Sequence, residues 1–328
     1  MPTKFLVRLD RVLKARDSLL CVGLDPDPTQ FPKPLKHLAP PKALERFVEG
    51  VISATFPHAA AYKAQLGSYL AFGPEGMAVL GRIARRIGPT RIKILDVKAN
   101  DIPNTMRLFR RGTFEEFGFD AITVTPWLGW ETLQPFLEDT SRGVFVVAHS
   151  SNPGAEDFQE IPTPRGSLWL AIVAEVKRLA TTYGNVGVVV GATYADAVRV
   201  ARETLGNHVP ILVPGVGAQG GQLSTTVREG ADSAGRALLV NVSRTILFAS
   251  GGRIGRPRPV ARPSASVSRS TSCAKVLVKA DELVGHRREP VAFLRPAPSG
   301  LAHRPAPLGV VQQFPDTSYE VRPDERLD

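Results

Sequence analysis

Cysteine is scarce in this sequence. Only Cys21 and Cys273 occur among 328 residues, which is too few for the disulfide framework that holds many small secreted domains together. Cys21 lies within an apolar run, so we expect it to be a buried thiol. The sequence therefore predicts a disulfide-free, cytoplasmic protein.

Long apolar segments are also missing. No run approaches the roughly 18 consecutive apolar residues that a membrane-spanning helix needs. Within residues 1–18, Phe5, Leu6, Leu9, Val12 and Leu13 recur at helical spacing, but charged residues interrupt them. A signal peptide needs an unbroken apolar region, so this stretch predicts an amphipathic helix and not a secretory leader.

Several short motifs with known chemistry are absent as well. No G-x-G-x-x-G follows the first apolar run, which argues against a dinucleotide-binding sheet. The six histidines are scattered without an H-x-x-x-H, and no C-x-x-C occurs, so no metal site is predicted. The stretch HSSNPG lacks the G-x-S-x-G of a nucleophile elbow.

The net charge of +10 would suit nucleic acid, a membrane surface or an anionic substrate. Residues 252–328 hold 13 Lys and Arg against 8 Asp and Glu, so half of the excess lies in this last quarter. No arginine cluster alternates with aromatic residues, as a nucleic-acid groove requires. We therefore predict no nucleic-acid partner and no membrane partner.

Apolar, β-branched runs alternate with amphipathic stretches over residues 1–250. Continuous Val, Ile and Leu runs are typical of parallel strands that are covered on both faces. Eight such units fit a (β/α)8 TIM barrel better than the alternative, an open Rossmann-like sheet. The runs are 19–24, 60–66, 92–98, 121–126, 143–150, 186–192, 209–215 and 237–243.

Residues 251–328 follow a different pattern. Stretches such as GGRIGRPRPVARPSASVSRSTS are rich in Pro, Arg and Ser and show no apolar period. Such a composition buries too little apolar surface to offset the entropy of the chain. We predict a mostly disordered tail, with a surface-bound extension as the alternative.

Polar residues follow several predicted strands, at the end where TIM barrels carry their active sites. They include Asp25, Lys63, Asp96 and Lys98. Because strand side chains alternate, Asp96 and Lys98 should point to the same side, into the mouth of the barrel. Taken alone, D-x-K-x-x-D could be an ordinary ion pair at a strand end. The prediction of an active site therefore depends on all of these polar residues lying at the same end of the barrel.

A phosphate site is predicted after strands seven and eight. The stretch PGVGAQGG, residues 214–221, contains Gly215, Gly217 and two more glycines, which let a backbone approach an anion. Arg244 follows the eighth run and can donate two parallel hydrogen bonds to a phosphate. Both lie where this fold commonly binds phosphate. A tight loop without a ligand is the alternative.

These motifs together resemble orotidine 5′-phosphate decarboxylases, and in particular the bacterial branch with D-x-K-x-N-D-I-P-N-T. The resemblance covers residues 1–250 and implies a homodimeric barrel with shared active sites, no metal and no cofactor. It also implies conversion of orotidine 5′-monophosphate to uridine 5′-monophosphate and CO2. The motifs that carry it are VGLDPD, YKAQ, LDVKANDIPNT, HSSNPG, PGVGAQGG and NVSRTI.

The resemblance also implies a role for each matching residue. Lys63, Asp96, Lys98 and Asp101 would form a charged tetrad in which Lys98 protonates C6 of the pyrimidine. Asp101 and Thr105 would enter the site of the neighbouring subunit. Asp25 would bind the ribose hydroxyls and Ser151 would contact the pyrimidine. The phosphate would be bound by Gly217, Gln219 and Arg244.

The sequence departs from the family after Arg244. Members usually continue into a helix that closes the barrel, whereas ILFAS here runs into GGRIGRPRP, which continues a helix poorly. We hypothesise that a frameshift replaced this helix, which translation of the neighbouring frames would test. A smaller departure is Val242, where a small residue often follows the asparagine.

Two other functions stay open from the sequence. Magnesium-dependent decarboxylases and aldolases of sugar phosphates share D-x-K-x-x-D, but AAYKAQLGSY offers no acidic metal ligand near Lys63. An inactive phosphate-binding scaffold is the second, and the intact tetrad argues against it.

Overall fold

The computed structural model describes residues 2–164, 166–217 and 221–248. The predicted tail and the frameshift hypothesis lie outside these residues. Among them, no helix combines the length and the apolar composition that crossing a bilayer requires.

Eight parallel strands close into a barrel in which each strand pairs with its neighbours in chain order and the last pairs with the first. This arrangement confirms the predicted TIM barrel and excludes the open sheet. The strands are β1 (Leu20–Leu24), β2 (Ala61–Gln65), β3 (Ile92–Ala99), β4 (Ala121–Val124), β5 (Gly143–His149), β6 (Val186–Val190), β7 (Ile211–Val213) and β8 (Leu238–Val242). A two-residue hairpin, Pro162–Thr163 with Gly166–Ser167, stands apart from the barrel.

Helices cover the outside of the barrel. The described helices are α1 (Lys4–Arg16), α2 (Pro40–Thr55), α3 (Leu66–Leu70), α4 (Gly73–Ile87), α5 (Pro103–Arg111), α6 (Gln134–Leu137), α7 (Leu168–Thr182), α8 (Ala195–Leu205), α9 (Leu223–Gly230) and α10 (Arg244–Leu247). Every residue of β1, β4, β6, β7 and β8 is buried. Burial on both faces explains why these strands read as continuous apolar runs.

Helix α1 is the amphipathic helix predicted near the N-terminus, and it buries Phe5, Leu9, Val12 and Leu13. The ring of Phe5 packs against Gly143, where an added Cβ would lie 2.2 Å from a ring carbon. Phe5 also makes an edge-on contact with Phe145 of β5. The start of the chain is thus fixed to the amino end of β5, which leaves the carboxyl ends of the strands open.

Candidate active site

Four charged side chains form a continuous row across the carboxyl ends of β1, β2 and β3. The ammonium of Lys63 lies 2.6 Å from Asp96 Oδ2 and 3.6 Å from Asp25 Oδ1. On the far side of Asp96, Lys98 Nζ lies 2.7 Å from Oδ1. We call this set, Asp25–Lys63–Asp96–Lys98, the charged row. Its signs alternate, so each inner member contacts two opposite charges.

The charges of the inner pair are stabilised by their neighbours. Burial alone would lower the pKa of the Lys63 ammonium, but Asp25 and Asp96 raise it above its usual value. Burial would likewise raise the pKa of the Asp96 carboxyl, and Lys63 and Lys98 instead hold it well below its usual range. Both groups therefore remain charged at neutral pH.

The two lysines differ in accessibility. The side chain of Lys63 is only 6% exposed between its carboxylates, whereas that of Lys98 is 49% exposed. Lys98 is therefore the more accessible ammonium of the row. Lys63 is mostly enclosed by its two carboxylates, although it borders the cavities described below.

The geometry that brings Asp96 and Lys98 together is not the simple alternation expected from the sequence. The pairing of β3 with β4 shifts between Leu95 and Ala99. Lys98 has φ of 51°, a left-handed conformation that costs a non-glycine residue roughly 1–2 kcal/mol. The two side chains meet because the strand is distorted between them.

Two cavities open on either side of the charged row. The larger, about 300 Å³, is lined by polar groups that include Asp25, Gln65, Asn241 and Arg244. The smaller, about 160 Å³, contains Lys98, Ser151 and the apolar side chains of Val147, Val189 and Leu212. Both cavities contact Lys63, Asp96 and Pro214. The site therefore has a more polar and a less polar compartment, which share Lys63, Asp96 and Pro214.

Arg244 lies at the polar end. It is exposed, begins α10 directly after β8, and lines the larger cavity. It forms no ion pair with a carboxylate of the described residues. The guanidinium is therefore available to an anionic ligand.

The glycine loop is partly used by its own hydrogen bonds. Gly217, with φ of 83°, donates its N–H to the Gly221 carbonyl at 3.1 Å, and Gly221 donates to the Gly215 carbonyl at 3.3 Å. Gly215 lines the larger cavity. Gln219, the other predicted phosphate ligand of this loop, lies outside the described residues.

Asp101 and Thr105 do not join the charged row of their own chain. They lie just before and within the first turn of α5. Asp101 Oδ1 accepts the N–H of Ile102 at 2.7 Å. Within the described part of the chain, none of the ion pairs involves Asp101. The structure thus brings together three of the four residues of the predicted tetrad.

Metal-binding side chains are not clustered in the part of the chain that the structure describes: no group of three or more His, Cys, Asp or Glu could hold an ion.

Comparison with protein families identifies the barrel. The family model described as orotidine 5′-phosphate decarboxylase / HUMPS matches residues 18–253. The chain belongs to this family. An orotidine 5′-phosphate decarboxylase of Thermomicrobium roseum is 43% identical over 249 residues, which are 75% of this chain and 87% of that protein. One from Bordetella avium is 39% identical over 251 residues, covering 76% and 91%.

Solved structures of the family agree with this assignment. Leishmania donovani OMP decarboxylase superposes with a TM-score of 0.67 at 31% identity, covering 76% of this chain and 92% of that one. Leishmania donovani UMP synthase matches with a TM-score of 0.68 at 33% identity, covering 75% of this chain and 52% of that chain.

Several polar residues of the site were not predicted from the sequence. Ser243 Oγ donates to Asp25 Oδ2 at 2.7 Å and accepts from Asn241 Nδ2 at 3.2 Å. Gly23 makes room for it, since a Cβ there would lie 1.8 Å from Ser243 Oγ. Thr123 of β4 contacts Asp96. The available signal was that each is a polar residue within or just after an otherwise apolar strand.

The residues before Ser151 are also fixed by a contact that the sequence did not suggest. Gln159 Oε1 accepts the N–H of Ser150 at 2.7 Å. Beside it, the buried His149 pairs with Glu160 at 2.7 Å. These contacts fasten the segment after β5 over the barrel and so fix one wall of the smaller cavity.

Proposed function

We propose that this chain decarboxylates orotidine 5′-monophosphate to uridine 5′-monophosphate and CO2. The family and the names of its relatives support this reaction. The observation that carries it is the half-exposed Lys98 ammonium, which lines the less polar cavity and pairs with Asp96, a residue that borders both cavities. The reaction needs a positive, proton-bearing group at one ring carbon.

The two cavities fit the two ends of the nucleotide. The phosphate would contact Arg244 and the glycine loop at the polar end, and the ribose hydroxyls would contact Asp25. The pyrimidine would lie beside Ser151 and the apolar wall of the smaller cavity. This orientation brings C6 of the ring to Lys98, and binding energy gained at the phosphate is then used at the reacting carbon.

The chemistry requires stabilisation of a localised charge. Breaking the bond between C6 and the carboxylate releases CO2 and leaves the electron pair on C6, in the plane of the ring. The ring π-system cannot delocalise that pair. The Lys98 ammonium stabilises the developing charge, then transfers a proton from Nζ to C6 and recovers one from water. A preorganised charge of this kind is often the largest catalytic contribution.

The other members of the charged row hold the ammonium of Lys98 in position. Asp96 accepts a hydrogen bond from Lys98 at 2.7 Å and so aims the ammonium. Lys63, enclosed between Asp25 and Asp96, balances the two carboxylates. The row carries two positive and two negative charges and so balances its own ammonium groups, while Arg244 of the larger cavity supplies a positive charge for the phosphate.

We also propose a homodimer in which Asp101 and Thr105 complete the partner's site. Both residues lie beside an exposed apolar surface that a monomer would leave in water. Asn100 Oδ1 accepts the N–H of Leu128 at 3.3 Å, which joins the segments after β3 and β4. The exposed large apolar side chains of these segments and of α5 are Ile102 at 58%, Leu108 at 64%, Trp127 at 68% and Leu128 at 48%.

The cytoplasm is the proposed location. Cys21, the one cysteine that the structure describes, is buried and free. Burial raises the pKa of its thiol to about 12, so it stays protonated and unreactive, as suits a structural cysteine in a reducing compartment.

The test is a direct assay. Adding orotidine 5′-monophosphate to the purified chain should cause a loss of ultraviolet absorbance that requires Lys98 and is unaffected by EDTA. A rate that falls with EDTA and returns with magnesium would instead favour the sugar-phosphate decarboxylases and aldolases. Phosphate binding without any absorbance change would favour an inactive scaffold.

A further inference from the structure

Thr123 lies opposite the distorted part of β3 and is 1% exposed. Leu95 pairs with Ile122, and the next pair is Ala99 with Val124. Three residues of β3 therefore face one residue of β4. At such a bulge the regular ladder of backbone hydrogen bonds is interrupted, and amides of the longer strand need other acceptors.

The hydroxyl of Thr123 supplies that acceptor. Thr123 Oγ1 lies 3.1 Å from the nitrogen of Val97 and 3.0 Å from that of Lys98. It lies 2.8 Å from Asp96 Oδ1. A hydroxyl has two lone pairs and one proton. The two amides occupy the lone pairs, so the proton is donated to Asp96, and the hydrogen-bonding capacity of the group is complete.

These three bonds hold Lys98 at both of its ends. The backbone of Lys98 has φ of 51°, and its N–H is bound by Thr123. Its ammonium is bound by Asp96 Oδ1, the same oxygen that receives the Thr123 proton. One buried hydroxyl thus fixes both the strand distortion and the carboxylate that aims the ammonium.

We propose that Thr123 is a positioning residue for Lys98 in the decarboxylation proposed above. It acts through Asp96 and the backbone of Lys98 and does not itself contact the reacting carbon. Valine can replace threonine in shape but leaves the two amides without their acceptor and removes one of the two donors to Asp96 Oδ1, the other being Lys98. Serine keeps the hydroxyl and therefore keeps all three bonds.

The experiment compares Thr123→Val with Thr123→Ser. We expect the valine variant to lower kcat about 100-fold, because a small displacement of a catalytic group has an effect of this order. Its KM should stay within about threefold, because the phosphate and ribose contacts are untouched. The serine variant should keep kcat within about fivefold, since its freer rotamer weakens the same bonds only slightly.

Thr55→Val is the matched control. Thr55 is also 1% exposed and hydrogen-bonded, to Val51 O and the Tyr62 hydroxyl, but it lies on α2 outside the barrel. It should lose stability while keeping kcat for the folded fraction. A loss of kcat in this control equal to that of Thr123→Val would mean that any buried threonine matters, and it would overturn the proposal.

A second measurement does not depend on the reaction. Hydrogen exchange at the Val97 and Lys98 amides should accelerate at least about tenfold in Thr123→Val and stay close to wild type in Thr123→Ser. If the wild-type chain proves inactive toward orotidine 5′-monophosphate, the proposed function fails, and faster exchange would still support Thr123 as the group that holds the bulge. Unchanged exchange, unchanged kcat, or an effect confined to KM would each overturn the proposal.

Discussion

Buried charges occur at both ends of the barrel, but their surroundings differ. At the amino end, Arg202 is 8% exposed and donates to the carbonyls of residues 206, 209, 230 and 237 at 2.7–2.9 Å. Asp120, also buried, accepts from Arg8 and from the backbone of Lys93. At the carboxyl end, the charged row borders two cavities and ends in the half-exposed Lys98.

The two ends therefore differ in what their buried charges do: those at the amino end stabilise the fold, and those at the carboxyl end can contact a ligand. Burial lowers the pKa of Arg202 to about 10, so it remains charged, and protein carbonyls occupy its donors. It lines neither of the two cavities of the site. The row at the other end holds an equally buried Lys63 but keeps one ammonium open to a ligand. A buried charge therefore indicates function here only where a cavity meets it.

Removal of the accessible charge, Lys98, should have the largest effect on activity. We expect Lys98→Ala to lower kcat about 10⁴-fold, because the proton donor and the stabilising charge are lost together. Affinity for uridine 5′-monophosphate should change less than about threefold, as the distant contacts remain. Lys177→Ala, an exposed lysine of α7, is the control. Activity within tenfold of wild type for Lys98→Ala would refute its role.

Removal of the enclosed charge, Arg202, should reduce stability and leave activity unchanged. Arg202→Met leaves four carbonyls without their charged donor, so we expect the free energy of unfolding to fall by about 3–5 kcal/mol. kcat of the folded fraction should not change. Arg199→Met is the matched control on the same helix: Arg199 forms exposed ion pairs with Glu203 and Asp196, and its removal should leave the free energy of unfolding nearly unchanged. Urea unfolding with parallel assays measures both. Lost activity without lost stability would show that the amino end also serves the site.

The polar cavity offers a third test. Arg244→Ala should raise KM about 100-fold, the effect expected when a charge-assisted hydrogen bond to phosphate is lost. Added phosphite should partly restore turnover of the truncated nucleoside orotidine in the wild type. Arg228→Ala, an exposed arginine of α9 paired with Glu229, should leave KM unchanged. An unaltered KM in Arg244→Ala would place the phosphate elsewhere.

Much of this architecture could be predicted from the sequence. Burial on both faces leaves a largely apolar run in most of the strands, so the eight strands and the polar residues near their ends could be recognised. The side-chain contacts that refine the site were not. Thr123 and Asp96 are 27 residues apart, and Ser243 and Asp25 are 218 apart. The bulge of β3 depends on its pairing with β4, which no local pattern of residues 92–99 records.

The last prediction concerns the part of the open end that a single chain does not complete. Asp101 lies three positions beyond Lys98 but outside the charged row, beside exposed Ile102. Chains with Lys98→Ala and chains with Asp101→Ala should each be inactive alone. In a mixed dimer, one site would carry both defects and the other neither, because the intact site takes Lys98 from one chain and Asp101 from the other. With free exchange of subunits in equal amounts, half of the dimers are mixed, so about a quarter of all sites should be active in this two-fold arrangement.

Wild-type chains carried through the same exchange provide the reference rate. If Lys98 and Asp101 served the same subunit, every site would carry one defect. Persistent inactivity after verified exchange would therefore remove Asp101 from the partner's site and leave Lys98 as the proton donor.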